Sequence, residues 1–204
     1  MDTIINTATN FILIKDMSDY INFEEINIQF EKLKFHKNTS NEISTNLDFF
    51  NIDKLQLSST VLLTECKHFL TTVNGIEQFT DLKITNSWGN ITLPTQMHHQ
   101  HSHPYSVLSG VIYLDDNPSN LNFFIEAYFP TVPYYNFYKQ RHVSLQQLIG
   151  NSNNLQNHLI LFFSNMSHYV DTNNETTPRR SVAFNTFWKG LTGNHDNQLG
   201  SMTF

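Results

Sequence analysis

The run HHQHSHPYS, residues 98–106, sets His98, His99, His101 and His103 within six positions of a chain that carries ten histidines among 204 residues. Neutral imidazole is a nitrogen ligand for iron, zinc, copper and nickel, so the run is either a metal site or a solvated loop that picks up metals adventitiously. Along a strand, residues two apart project to one face with Cα atoms about 6.5 Å apart, at a rise of about 3.3 Å per residue. His101 and His103 can therefore converge on one ion, and His99 and His101 have the same geometry one step earlier. Pro104 cannot donate to a strand ladder, and the β-rich run SVLSGVIYL then leads the chain back into a sheet. Both features favour the later pair, at a strand end where one side of the ion stays open. A closed structural zinc site normally takes four Cys or His ligands, and the only cysteine, Cys66, is far away in sequence.

A third nitrogen has to come from another segment. His168 stands just after an apolar strand in LILFFSNMSHYV, where a polar side chain needs a reason. Three ligands leave coordination positions for substrate or oxygen. Eleven residues on comes RRSVAFNTFW, whose alternation puts Arg179, Ser181 and Ala183 on one face and Arg180, Val182 and Phe184 on the other. A guanidinium accepts a carboxylate through two parallel hydrogen bonds, and a neighbouring hydroxyl adds a donor. Alone, Arg-Arg-Ser at a strand start reads as a surface charge pair. Its weight comes from following His-x-His and a lone His in that order.

The elements that must hold these residues are mostly strands. Residues 1–50 mix the apolar stretches FILI and INIQF with polar connectors and read as strands or strand-helix pieces. From Asn51 to Val73 the positions Leu55, Leu62, Cys66, Phe69 and Leu70 recur at three- and four-residue intervals before Asn74-Gly75, which predicts a helix lying against a sheet. The period then changes to two. DLKITNSWGN places Leu82, Ile84, Asn86 and Trp88 on one side, and SVLSGVIYL, LNFFIEAYF, HLILFF and RRSVAFNTFW continue as strands between Asn- and Ser-rich turns. This order predicts an antiparallel sandwich or open barrel backed by helices. The aromatic connection FPTVPYYNFYKQRH, residues 129–142, is either a lid over the site or an apolar cluster under a long loop.

Composition limits the partners. A net charge of −6 argues against a broad phosphate-neutralising surface, so nucleic acid is not an expected partner. The N-terminal segment has no basic n-region, its apolar run is short, and no stretch approaches the roughly 20 apolar residues of a membrane span. With one cysteine there is no disulfide framework. The expectation is a cytoplasmic protein.

The pieces together resemble the Fe(II)- and 2-oxoglutarate-dependent oxygenases, most closely a prolyl-hydroxylase-like branch found in phage and marine bacteria. That branch reads His-x-His-Pro-x-Ser, Leu-Ser-Gly-Val, Tyr-Leu, then Phe-x-Ser-x-x-x-His and Arg-x-Ser-x-x-Phe-Asn. Here these stand as HSHPYSVLSGVIYL, FFSNMSH and RRSVAFN, over about residues 80–190. The resemblance implies a mainly β fold with helices (α+β), a double-stranded β-helix or cupin-like jelly roll. Its core would span about residues 80–190, with the strands and helix of residues 1–75 packed on it in a single domain over 1–204. It implies iron at His101, His103 and His168, and 2-oxoglutarate as cosubstrate with its distal carboxylate on Arg179, helped by Tyr113 and Ser181. Arg179 is preferred to Arg180 because the motif aligns on 179, 181, 184 and 185. Asn185, Asn86 and Trp88 are lesser candidates for the pocket.

The implied reaction consumes O2, converts 2-oxoglutarate to succinate and carbon dioxide, and hydroxylates a C–H bond of a substrate that is a prolyl or other peptidyl residue or a small molecule. One departure matters. The commoner superfamily pattern is His-x-Asp…His, and His103 replaces the anionic carboxylate by a neutral ring, leaving more positive charge on the metal. His99 in place of His101 or His103, or a carboxylate such as Asp115 or Asp116, stays open as an alternative ligand. The rival functions are a three-histidine cupin-type dioxygenase that needs no cosubstrate and a non-catalytic jelly-roll binding or structural protein. A homodimer through an edge strand is compatible with the sequence.

Overall fold

The computed structural model describes residues 3–6, 11–75, 81–116, 120–127, 139–144, 154–192 and 202–203. In chain order the elements are β1 (Thr3–Asn6), β2 (Phe11–Asp16), α1 (Phe23–Phe30), β3 (Phe35–Lys37), β4 (Glu42–Ser44), α2 (Gln56–His68) and β5 (Leu82–Thr92). They continue with β6 (His98–His101), β7 (Leu108–Tyr113), β8 (Leu121–Ala127), β9 (Lys139–Ser144) and β10 (His158–Phe163). The last four are β11 (His168–Val170), β12 (Arg179–Trp188), β13 (Leu191–Thr192) and β14 (Met202–Thr203).

Eight strands form the larger sheet in the order β1-β2-β10-β7-β12-β5-β4-β3, and four form the smaller in the order β6-β11-β8-β9. Period-two burial gives the larger sheet two apolar faces. Leu13, Leu108, Ile112, Leu161, Val182 and Phe184 pack with Ile26 and Phe30 of α1 and Leu62 and Cys66 of α2. The alternate positions Ile12, Ile14, Tyr113, Ile160 and Phe162 pack with Leu121, Phe123 and Val170 of the smaller sheet. The result is the double-stranded β-helix expected from the sequence, with both helices on its outer face. No helix among the described residues is long and apolar enough to cross a membrane.

The first fifty residues hold more helix than their apolar stretches suggested. INIQF belongs to α1, whose start is set by Asn22: its side-chain oxygen accepts the Glu25 N–H at 3.0 Å, with Glu24 and Glu25 in the first turn. The predicted helix over 51–73 is α-helical from Gln56 to His68. Extended backbone at Ile52 (ψ 129°) separates two short 3-10 turns before it, and a π turn, Phe69–Val73, runs into Gly75 at φ 65°. In β5 the expected face holds only to Ile84. Asn185 of β12 opposes Asn86 while Thr186 opposes Ile84, which leaves Thr85 as a bulge. Parity inverts there: Leu82 and Ile84 join the helix-side core, whereas Trp88 and Asn90 face the interior cleft. Gly110 of β7 lies under the ring of Phe184, its cross-strand partner, and a Cβ there would also come within 2.9 Å of Leu161 Cδ2.

Candidate metal centre

β6 and β11 bring the histidines together. The two strands pair antiparallel with His101 opposite His168, and their ring centroids are 4.3 Å apart. His103 lies past the end of β6, in a turn with Pro104, so the strand pleat alone does not converge it with His101 as the spacing suggested. Its main-chain N–H donates to Ser164 O at 2.9 Å, and its ring sits 4.9 Å from His101 and 5.2 Å from His168. The ligand nitrogens of His101, His103 and His168 all fall within 4.8 Å of one another, the spacing that one ion requires.

The tautomers suit ligation. A carbonyl can only accept, so His101 Nδ1 must donate to His99 O (2.8 Å) and His168 Nδ1 to Met166 O (2.9 Å). Each ring is thereby oriented and its Nε2 lone pair left free, the arrangement typical of metal-bound histidine. Desolvation also keeps the imidazoles neutral: burial pushes His168 down to about 3 and His103 down to about 4, and His101 is lowered by the same cause. Phe162 and Phe123 wall His168, at 4.7 and 6.0 Å between ring centroids, and Trp88 lies 5.8 Å from His103.

The arginines diverge as strand alternation requires. Arg180, on the outer face, holds Asp115 through Nε (3.1 Å) and Nη2 (2.7 Å), reaches Glu31, and lies over the Phe30 ring. Arg179, on the inner face, is 2 % exposed and lines the same cleft as the three histidines. Its Nη2 reaches Thr92 Oγ1 only at 3.5 Å, and Nε and Nη1 are buried with no hydrogen-bond partner among the described residues. Tyr113 presents its ring 5.4 Å from the Arg179 Cζ, and Ser181 is the cross-strand partner of Tyr113. Burial lowers the Arg179 guanidinium and raises the Tyr113 phenol, each effect moderated by the other group. Two unpaired donors on a buried cation fit a carboxylate. Arg179 and the three histidines line one cleft, with Asn90, Tyr113 and Ser181 between them and a largely apolar wall around them.

The other candidates separate by position. The His99 main-chain N–H donates to Ser40 Oγ (3.2 Å), and His99 stays outside the trio. Asp115 is committed to Arg180, and Asp116 is exposed and outside the trio. Trp88 lines the cleft and Asn86 does not; Asn185 lies behind it, bonded to Ser109. Of the aromatic connection, residues 129–138 lie outside the described residues, and Lys139–His142 begin β9. Sequence reasoning passed over His98 and Asn90. His98 lines the cleft, stacks on His101 at 4.6 Å and is pushed down to about 2 by burial, with His101 adding to the effect. Asn90 is two residues from Trp88, a parity signal that could have found it, and opposite Ser181; among the described residues its Oδ1 is buried without a partner.

Residues 86–185 match the sequence model of a family described as "Putative 2OG-Fe(II) oxygenase". No curated protein matches the chain. Solved structures share its fold. A Pseudomonas putida prolyl-4-hydroxylase aligns at a TM-score of 0.56 and 12 % identity, over 90 % of this chain and 95 % of its own. A 2OG-Fe(II) oxygenase family oxidoreductase from Burkholderia pseudomallei aligns at 0.54 and 12 %, over 86 % of this chain and 83 % of its own. HygX from Streptomyces hygroscopicus, solved with nickel, 2-oxoglutarate and hygromycin B, aligns at 0.51 and 8 %, over 86 % of this chain and 82 % of its own. At such identities the likeness is one of fold, and with the family match it supports the 2OG-Fe(II) oxygenase superfamily that the motifs resemble.

Proposed function

We propose that the chain is an Fe(II)- and 2-oxoglutarate-dependent oxygenase, one domain over residues 1–204, that hydroxylates a peptidyl substrate. His101, His103 and His168 would hold the iron, and Arg179 would take the far carboxylate of the cosubstrate, with Ser181 and Tyr113 beside it. The observation that carries this reading is a buried guanidinium with two unpaired N–H groups in one cleft with three neutral imidazoles. A buried cation with its hydrogen bonds unmade is costly even with Asp171 in its field, and a carboxylate bound there would offset that cost. A dioxygenase that uses metal and oxygen alone gives no reason for Arg179. A structural jelly roll gives no reason for Arg179 or for the trio.

Bound iron would supply the oxygen chemistry that couples decarboxylation of 2-oxoglutarate to hydroxylation of a C–H bond. The chain's own residues do the placing. The two Nδ1 bonds fix the His101 and His168 rings, Phe123, Phe162 and Trp88 keep water from the metal side, and Arg179 sets the cosubstrate's direction. Two residues beyond His103, Tyr105 is 95 % exposed at φ 62°. Left-handed backbone costs a tyrosine about 1–2 kcal/mol, and its ring buries nothing that would offset this, which favours a role in meeting the primary substrate. The Pseudomonas putida relative is named for prolyl hydroxylation and HygX was solved with hygromycin B, so the fold alone does not choose the substrate. The motifs favour the phage and marine bacterial branch, with a cytoplasmic site of action.

The test is anaerobic addition of 2-oxoglutarate to the Fe(II)-loaded protein, followed by exposure to air. A weak visible charge-transfer band and then succinate are expected. Absence of both would overturn the reading.

A further inference from the structure

Three polar motif residues, Ser109 of LSGV, Ser164 of FFSNMSH and Asn185 of RRSVAFN, meet at the floor of the cleft, which Ser109 lines. Ser109 Oγ donates to Asn185 Oδ1 at 2.8 Å, and Ser109 and Ser164 Oγ are 2.8 Å apart. Ser109 has one hydroxyl hydrogen and gives it to Asn185, so Ser164 donates to Ser109. All three residues are buried. The β5 bulge lies opposite Asn185, where Thr85 Oγ1 donates to Asn185 O at 3.2 Å.

Ser164 is also a clamp. Its carbonyl accepts the His103 N–H at 2.9 Å, and its own N–H donates to Val107 O at 3.1 Å. One residue thus grips both ends of the turn 103–107, which Pro104 and the left-handed Tyr105 take out of any strand ladder. The clamp matters because His101 and His168 are oriented through their ring Nδ1 atoms, whereas among the described residues the His103 ring makes no such bond. Its direction is set by its main chain and by packing against Trp88.

We infer that Ser109, Ser164 and Asn185 are positioning residues that fix the turn presenting His103 to the metal. The inference rests on the metal site proposed above. In other metal sites, groups that orient a ligand from behind are worth about 10- to 100-fold in metal affinity, and a similar loss is expected here.

The test is calorimetric titration of Ni(II) into wild type, Ser109→Ala, Ser109→Thr and Ser164→Ala, with the melting temperature of each metal-free protein measured alongside. Expected are affinities about 10- to 100-fold weaker in both alanine variants, restoration by Ser109→Thr, which keeps the hydroxyl, and little change in metal-free melting. If wild type binds no Ni(II), the metal-site reading itself fails. If wild type binds and the alanine variants bind equally well, this inference alone is overturned. It is also overturned if metal-free melting falls together with affinity and Ser109→Thr restores neither, or if neither alanine variant folds, because the network would then serve only the core.

Discussion

Replacing Arg179 by Met should raise the stability of the ligand-free protein while abolishing its affinity for dicarboxylates. In the free protein the guanidinium has two partnerless N–H groups and one contact at 3.5 Å, so the substitution removes almost no hydrogen bonding. Exchanging even a buried ion pair for apolar side chains of similar volume is often neutral or stabilising by about 1–4 kcal/mol, and Arg179, with its hydrogen bonds unmade, has less to lose. Binding goes the other way. Two hydrogen bonds from a charged donor contribute about 1.5–3 kcal/mol each, so losing both costs about 3–6 kcal/mol, or roughly 10²- to 10⁴-fold in affinity. Urea unfolding of the metal-free protein reads the first effect, and N-oxalylglycine titrated into the Ni(II)-loaded protein reads the second. Arg180→Met is the control of opposite sign. Its guanidinium holds Asp115 and Glu31 on the outer face, so its loss should cost about 1–3 kcal/mol of stability and leave the ligand affinity alone. A destabilised Arg179→Met that still bound N-oxalylglycine would refute the argument, because the unpaired donors would then serve the fold and not a ligand.

Among the histidines, His103→Ala should abolish tight Ni(II) binding, whereas His99→Ala should retain it, since His99 lies outside the trio; equal losses in calorimetry would put His99 in the metal shell. For pH, the metal-free protein should lose stability on acidification below about 6.5, the ordinary histidine value. His168 and His103 stay neutral in the fold down to about 3 and about 4, so between those values and 6.5 the unfolded chain binds more protons than the folded one. Each group then contributes at most about 1.4 kcal/mol per pH unit. Urea unfolding at several pH values checks this, and stability that stayed flat or rose as pH fell toward 4 would contradict the buried, neutral state of these rings.

The parts of the site that were legible in the sequence are those set by short-range geometry. Alternation along RRSVAFNTFW separates Arg179 from Arg180 correctly because β12 is regular over those residues, its irregularity coming only at Asn185. The same rule applied to DLKITNSWGN fails for a physical reason: Thr85 bulges, and one extra residue moves everything after it to the opposite face. Trp88 and Asn90 reach the cleft because of that slip, so the period that grouped Trp88 with Leu82 and Ile84 could not assign their face, although the two share one parity beyond the bulge. The Asn22 cap that starts α1 had no part in the reading of INIQF from its apolar residues, which suit a strand or a helix equally well, and tertiary packing decides between them. His103 is the sharpest case. Spacing pairs it with His101 as if both stood on one strand, but the strand ends at His101 and the pair converges because a turn is clamped to Ser164, 61 residues further along the chain. A motif can be right about which residues meet while its local geometry is wrong about why, since what brings them together is a hydrogen bond to a residue that neither spacing nor period relates to them.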